Sequence, residues 1–496
     1  MPPRSATPTT PKARLAGVIK SARDIMRKDS GLNGDLDRLP QLSWLLFLRA
    51  FDGLVEEEGA ALDENYQPAL DEAHRWSTWA GDSKLTGDAL IKFVEGDLIP
   101  YLRSLQSDDE NDPRNVISTV FKDVSNRMAS GVLLRDLIDK VNEVHFTSDD
   151  DIHTMAFLYE SLLKEMRDAA GDSGEFYTPR PVIRFMVQQS FLELGESILD
   201  PACGTGGFLV EAYEALRARA TSTVDQVRLH NDLRGIEKKS LPYLLGTMNL
   251  LLHGVHQPRI VRANALVQMR NDTGPRSQVK VVLTNPPFGG EEEDSVAKLF
   301  PPGFQTQETA WLFLTAILDK VKKDGRCAIV LPNGSLFGTG VGTRIKERVL
   351  AEANLHTIIR LPQGVFAPYT QIPANLLFFE KSGPTREVWF YEIPNPEGRS
   401  KYSKTLPMRF EDFGSCTAWW GGRDRAGRAE NERAWRLAIN EIKSRDYNLD
   451  ASNPYVAENL TQRSPEDIVS ELIKNEQEIL DILTSLQDDL GGSSDE

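Results

Sequence analysis

From about Asp168 onward the chain alternates short apolar runs with stretches of helical periodicity. The runs that read as strands are Ser197–Asp200, Leu233–Glu237, Arg259–Arg262, Val279–Thr284, Arg326–Leu331, His356–Leu361, Asn375–Glu380 and Glu387–Ile393, with helical patterns such as Ala310–Lys323 between them. A strand that returns parallel to its predecessor needs a crossover long enough for a helix. This grammar therefore predicts an α/β fold with a doubly wound, mainly parallel, Rossmann-like sheet. Ligands of such sheets sit beyond the carboxyl ends of the strands.

The rest of the chain reads differently. Residues 1–12 (MPPRSATPTTPK) are Pro/Thr-rich and expected to be loose. Residues 13–167 read as an all-α domain. Leu42, Leu45, Leu46, Arg49 and Leu54 track one side of a helix after Pro40, and Val132–Val144 repeats the spacing. Acid clusters at Glu56–Glu58 and Asp149–Asp151 read as solvated loops. The sheet domain is expected over 168–395. It is followed by an irregular connection, 396–445, whose Gly/Arg/Trp-rich stretch TAWWGGRDRAGRAENERAW shows no element pattern. Residues 446–496 are expected to form a carboxy-terminal helical tail. Ser464 caps its helix, Pro465 opens it, and Ile468, Leu472, Ile479, Leu483, Leu486 and Leu490 form an apolar stripe suited to the chain's own core or a partner helix.

Composition sets limits. A chain of 496 residues suggests two or three domains and needs no disulfide staples. Its three cysteines, Cys203, Cys327 and Cys416, form no CxxC pair, which excludes a disulfide framework and fits a cytoplasmic location. No signal peptide is read at the amino terminus. The uncharged stretches Ser240–Pro258 and Leu361–Phe379 carry Pro, Gly, Asn or Gln inside them, so no membrane span is expected. With 57 Lys+Arg against 73 Asp+Glu the net charge is −16. An acidic chain repels phosphate on average, so a stand-alone DNA binder of this composition would be unusual.

The strand ending at Asp200 runs into Pro201-Ala202-Cys203-Gly204-Thr205-Gly206-Gly207-Phe208 and then a helix. Glycines there let the backbone turn tightly and approach a ligand, which then faces the free N–H groups of the helix start. No Lys-Ser/Thr pair follows, so this is not a nucleoside-triphosphate loop. Asp200 suits a cationic ligand better than a pyrophosphate, and S-adenosyl-L-methionine is such a ligand. Glu237 ends the next strand, placed to accept ribose hydroxyls, but lies further along than the dinucleotide pattern expects. Asn264 after the third strand either reads an adenine edge or is a plain turn residue. The candidates from this reading are Asp200, Gly204, Thr205, Gly206, Gly207, Glu237 and Asn264.

The fourth strand runs straight into Asn285-Pro286-Pro287-Phe288. Methyl transfer to an exocyclic amine is an in-line displacement by a weak nucleophile whose lone pair is delocalised into the base. The Asn285 side-chain oxygen and the Pro286 carbonyl, stiffened by two prolines, can accept the amine N–H groups, and Phe288 offers a stacking face. No strong base is needed, because the proton leaves after nitrogen has become cationic; catalysis is mostly positioning.

Asp200–Phe208 followed by Asn285–Phe288 resembles the paired motifs of adenine-N6 DNA methyltransferases. Upstream, Gly174-Glu175-Phe176-Tyr177-Thr178-Pro179-Arg180-Pro181 is similar to the cofactor motif of the modification subunit of type I restriction–modification systems. So are the preceding helical domain, Leu361–Phe366 and Asp446–Asp450. The resemblance implies that Glu175, Phe176, Tyr177, Thr178, Pro179 and Arg180 close over the methionine part of S-adenosyl-L-methionine, and that Thr205–Gly207 and Glu237 line its site. It gives the target base to Asn285, Pro286, Pro287 and Phe288. It also implies double-stranded DNA as substrate, a separate specificity subunit serving two modification subunits, and a restriction subunit as a further partner. Delegated DNA reading would account for the acidic balance. Cys203 stands where that family uses small residues.

Other signals are weak. His253 and His256 have metal-ligand spacing but no third ligand, so no metal is expected. Asp200 with Glu237-Lys238-Lys239 only faintly resembles a nuclease set. Two competing readings remain: a solitary adenine-N6 methyltransferase recognising DNA unaided, and a scaffold that keeps the fold without turnover.

Overall fold

The structure, a computed structural model, describes residues 11–57, 67–109, 112–144, 178–255, 257–367, 370, 372–455, 473, 476 and 477. Outside them lie Glu175, Phe176 and Tyr177, the Asp149–Asp151 cluster, and most of the helix expected from Ser464.

Residues 11–144 contain helices and no strand among those described. Helix Gly131–Asn142 is capped by the Ser130 hydroxyl, which accepts from the Leu133 N–H, and it buries Leu134, Leu137, Ile138 and Val141. Helix Asp35–Phe51 begins before Pro40 rather than after it. A proline this near a helix start removes one i→i−4 bond, and the buried row Trp44, Leu45, Phe47 and Leu48 outweighs that loss.

Nine strands form one sheet: β1 (Ile198–Asp200), β2 (Leu233–Glu237), β3 (Arg259–Arg262), β4 (Val279–Thr284), β5 (Val321–Pro332), β6 (Asn354–Arg360), β7 (Ala374–Glu380), β8 (Glu387–Glu392) and β9 (Ala434–Ala438). Their order is β3-β2-β1-β4-β5-β7-β6-β8-β9. The first five are parallel, β7 runs antiparallel between β5 and β6, β8 is parallel to β6, and β9 closes the edge antiparallel to β8. Neighbouring residues feed opposite cores: Ile198, Val281, Leu283 and Ala328 face one side, and Leu199, Val282 and Ile329 the other. Helix Thr309–Lys320 is apolar around its circumference and is buried along nearly its whole length.

Two features were not visible in the pattern. β9 lies inside 396–445, where it pairs with β8 and stacks Trp435 on Phe390 at a ring separation of 5.3 Å. β5 extends back through Lys322, Lys323 and Asp324, across a register shift opposite Val279/Val281. Of the two uncharged stretches, one holds the 13-residue helix Ser240–Leu252 and the other holds β7. Among the described residues no helix is long and apolar enough to cross a membrane.

Two tethers matter below. Arg326 on β5 makes a bidentate fork with Glu196 (Nη1 to Oε1 2.7 Å) and donates to the Ser190 and Phe191 carbonyls. The helical region is joined to the sheet domain where Asp123 accepts from both Ser240 and Arg262.

Candidate active site

The strand order reverses direction between β1 and β4, so their carboxyl ends part and leave a crevice. A cavity of about 240 Å³ opens there. Of the residues singled out in the sequence it brings together Thr178, Arg180, Asp200, Gly204, Thr205, Gly207, Glu237, Asn264, Asn285 and Pro287. Pro179, Gly206, Pro286 and Phe288 do not line it.

The loop after β1 is built by backbone bonds. Asp200 Oδ1 accepts from the Ala202 N–H at 3.1 Å. Glu237 Oε2 accepts from Gly204 N–H at 2.9 Å and its Oε1 from Lys239 N–H at 2.8 Å, so this carboxylate ties the loop to the end of β2. Gly206 is left-handed (φ 77°) at the start of helix Gly207–Arg217 and serves the turn rather than the cavity. Helix Ser240–Leu252 backs the loop: Asn249 Nδ2 donates to the Thr205 carbonyl at 2.9 Å. A Cβ on Gly246 would stand 2.8 Å from the Gly204 carbonyl oxygen. Because backbone faces backbone there, Gly246→Ala should displace the loop. We expect cofactor affinity to fall at least tenfold in calorimetry while far-UV circular dichroism is unchanged. Cys203, the departure from the family pattern, is accommodated because Gly235 opposite it has no side chain; a Cβ there would lie 2.9 Å from Sγ.

Electrostatics follow from burial. Asp200 is 1% exposed, and desolvation pushes its carboxyl up to about 7, with Glu237 adding to the rise and the Thr284 hydroxyl and Ala202 N–H opposing it. Burial also raises Glu237, against the N–H groups it accepts. Asn264 does more than turn the chain: its Oδ1 caps helix Ala265–Asn271 through Leu266 N–H and its Nδ2 donates to Glu292 at 3.2 Å. In this arrangement its amide is engaged on both sides.

Asn285 is held by one bond, Nδ2 to Thr178 Oγ1 at 2.9 Å. Its Oδ1 is sealed from solvent and accepts nothing from the described residues. Pro286 is buried, and half-buried Phe288 meets Phe366 edge-on at 5.5 Å. Arg180 opens helix Arg180–Gln189 and donates to the Gly207 carbonyl at 3.1 Å. Sequence reasoning missed the charged rim: Lys238 pairs with Glu292 at 3.1 Å, and the Gly290 carbonyl accepts from the Thr309 hydroxyl at 2.7 Å. The acidic run Glu291–Asp294, two glycines after the Asn-Pro-Pro-Phe corner, was the available signal.

Comparison with known proteins gives this geometry its context. The model of the N-6 DNA methylase family matches residues 150–463, and that of the HsdM N-terminal domain matches 15–141. The chain belongs to the N-6 DNA methylase family. This methylase is 47% identical to the Escherichia coli type I restriction enzyme EcoEI methylase subunit, over 97% of this chain and 98% of that one. A modification subunit assigned to a type I restriction enzyme of Vibrio vulnificus YJ016 superposes with TM-score 0.81 at 50% identity, covering 91% of this methylase and 99% of that chain. A chain from a structure of complex assembly and conformational transition of the type I R-M system gives TM-score 0.80 at 40% identity, covering 98% and 99%.

Proposed function

We propose that this chain is the modification subunit of a type I restriction–modification system. In this reading it transfers a methyl group from S-adenosyl-L-methionine to the N6 amine of an adenine turned out of double-stranded DNA. A separate specificity subunit selects the sequence for two modification subunits, a restriction subunit is a further partner, and the complex is cytoplasmic. Residues 13–167 are the helical domain and 168–395 the methyltransferase domain, to whose sheet 396–445 adds β9.

The observation that carries the reading is Asn285 Oδ1, a buried acceptor with no donor among the described residues. Leaving it unpaired costs about 1–3 kcal/mol, which an amine N–H from a bound base would recover. The cavity fits a cationic nucleoside, with the buried carboxylates Asp200 and Glu237 at the edges of a glycine cradle and a helix start behind it. When bound, S-adenosyl-L-methionine supplies the methyl group, activated on a sulfonium. The chain's own residues orient: Thr178 fixes the Asn285 amide, Asn285 Oδ1 and the Pro286 carbonyl accept from the target amine, and Phe288 presents a ring face.

Asp200 predicts a pH dependence. Its raised carboxyl contributes stability below the ordinary value of 3.8 that is lost as pH rises through about 7. A cationic ligand favours the ionised form, so binding should strengthen as pH rises from 6 to 8 and release a proton near 7. Below pH 7 the limit is about tenfold per unit. Calorimetry in buffers of different ionisation enthalpy reads both effects, and Asp200→Asn should abolish them.

The reading is tested by labelled methyl transfer to duplex DNA. Activity on adenine N6 is expected only when the specificity subunit is present. Sequence-specific methylation by the chain alone would replace this reading with the solitary enzyme. Absence of S-adenosyl-L-methionine binding with partner and DNA present would replace it with the scaffold.

A further inference from the structure

We propose that the cleft at the amino ends of β6 and β8, on the sheet edge opposite the Asn285 cavity, binds a phosphate-class oxyanion through Arg428 and Arg386. The cleft measures about 600 Å³, and Arg386, His356, Trp389, Asp424, Arg425 and Arg428 are among its walls. One wall, with Asp424, Arg425 and Arg428, comes from the Gly/Arg/Trp-rich stretch that methyl transfer leaves without a role, and the rest from β6, β8 and the turn before β8.

Most arginines around the cleft have an acid: Arg425 forks onto Glu380 (2.7 and 3.2 Å), Arg423 pairs with Glu193, and Arg436 reaches Glu387 at 3.1 Å. Arg428 has none among the described residues. Its Nε donates to the Trp420 carbonyl at 2.8 Å, its Nη1 donates to Thr357 Oγ1 at 2.7 Å, and its Nη2 is sealed from solvent without an acceptor. None of the described acids compensates this half-buried guanidinium. Burial and the neighbouring Arg425 charge hold it down to about 9, the direction that an anion in the cleft would reverse. Arg386 lies exposed on the rim, again without an ion pair among the described residues.

Neutral polar groups complete this wall. Thr357 Oγ1 accepts from Arg428 Nη1 and lies 2.7 Å from His356 Nδ1. Burial and the two arginines keep this histidine neutral. Trp419 and Trp420 lie 4.5 and 4.7 Å from the Arg428 guanidinium carbon and fix its plane. Guanidinium forks match tetrahedral oxyanions, and a cleft this size holds a phosphate borne on a larger molecule. Asp424, on the same wall, opposes the site and limits its affinity.

The test is titration of inorganic phosphate into the full chain at constant ionic strength, read by tryptophan fluorescence and calorimetry. We expect saturable binding, at least tenfold weaker in Arg428→Gln, severalfold weaker in Arg386→Gln and tighter in Asp424→Asn. The last two sites are exposed, so their opposite signs keep the test valid if Arg428→Gln does not fold. No saturation, or equal binding by all four proteins, overturns the proposal. A second arm identifies the source. If Arg386→Gln lowers the salt slope of duplex DNA binding by about one, the phosphate belongs to the DNA backbone; an unchanged slope assigns it to a free phosphate compound. The phosphate titration needs neither methyl donor nor DNA, so its outcome does not depend on the function proposed above.

Discussion

Asn285→Ala should lower kcat for methyl transfer by about 10³-fold or more, while the dissociation constant for the methyl donor changes by less than twofold. The substitution removes an acceptor whose bond to the amine strengthens as nitrogen becomes cationic, and one such preorganised group is worth about 10²–10³. The change of shape at the corner adds to this. Thermal stability should stay the same or rise, because the buried Oδ1 has no donor among the described residues and its removal relieves an uncompensated desolvation. Asn285→Asp separates the parts: the Thr178 hydroxyl can donate where it formerly accepted, and an acceptor remains for the amine. Its loss should be smaller by at least an order of magnitude. Wild-type turnover by the alanine variant would remove Asn285 from the catalytic position.

Glu196→Ala should destabilise the protein by about 3–5 kcal/mol, the cost of stranding a buried cation. Arg326 and Glu196 side chains are 13% and 9% exposed, and all three guanidinium nitrogens of Arg326 donate to Glu196 or to two carbonyls. Denaturant unfolding measures the loss; Glu196→Gln, which keeps the shape, should cost less. The acid limb of the stability curve carries the same pair. Burial alone would raise Glu196, but the Arg326 hydrogen bonds and charge bring it net below the ordinary 4.5. Its contribution is therefore present above that value and lost as pH falls through the depressed one. Glu196→Ala should flatten this limb, and an unchanged acid midpoint would show that other carboxylates govern it.

How much could be read beforehand follows from where the information lies. β2, β3 and β4 have the bounds their runs suggest, although edge strand β3 leaves Val261 exposed; β4 and β7 are buried on both faces. Burial on both faces also hides direction, which is why nothing in Asn375–Glu380 tells that β7 runs antiparallel. β9 was invisible because Ala-Trp-Arg-Leu-Ala has little strand character and owes its conformation to pairing with β8. At the cleft, single-chain chemistry pointed to Asp200, Glu237 and Asn285. It did not show that Glu237 is occupied by two backbone N–H groups or that Glu292 engages both Lys238 and Asn264. All of those bonds but the one from Lys239 join segments distant in sequence, and their existence is a property of the assembled fold.

Helix Ser240–Leu252 belongs to two neighbourhoods at once. Its first residue bonds Asp123, its middle glycine touches the Gly204 carbonyl, and eleven of its residues are buried. A catalytic fragment excised after residue 167 would therefore uncover a leucine-rich flank that water now never meets, and should precipitate rather than work as a minimal enzyme.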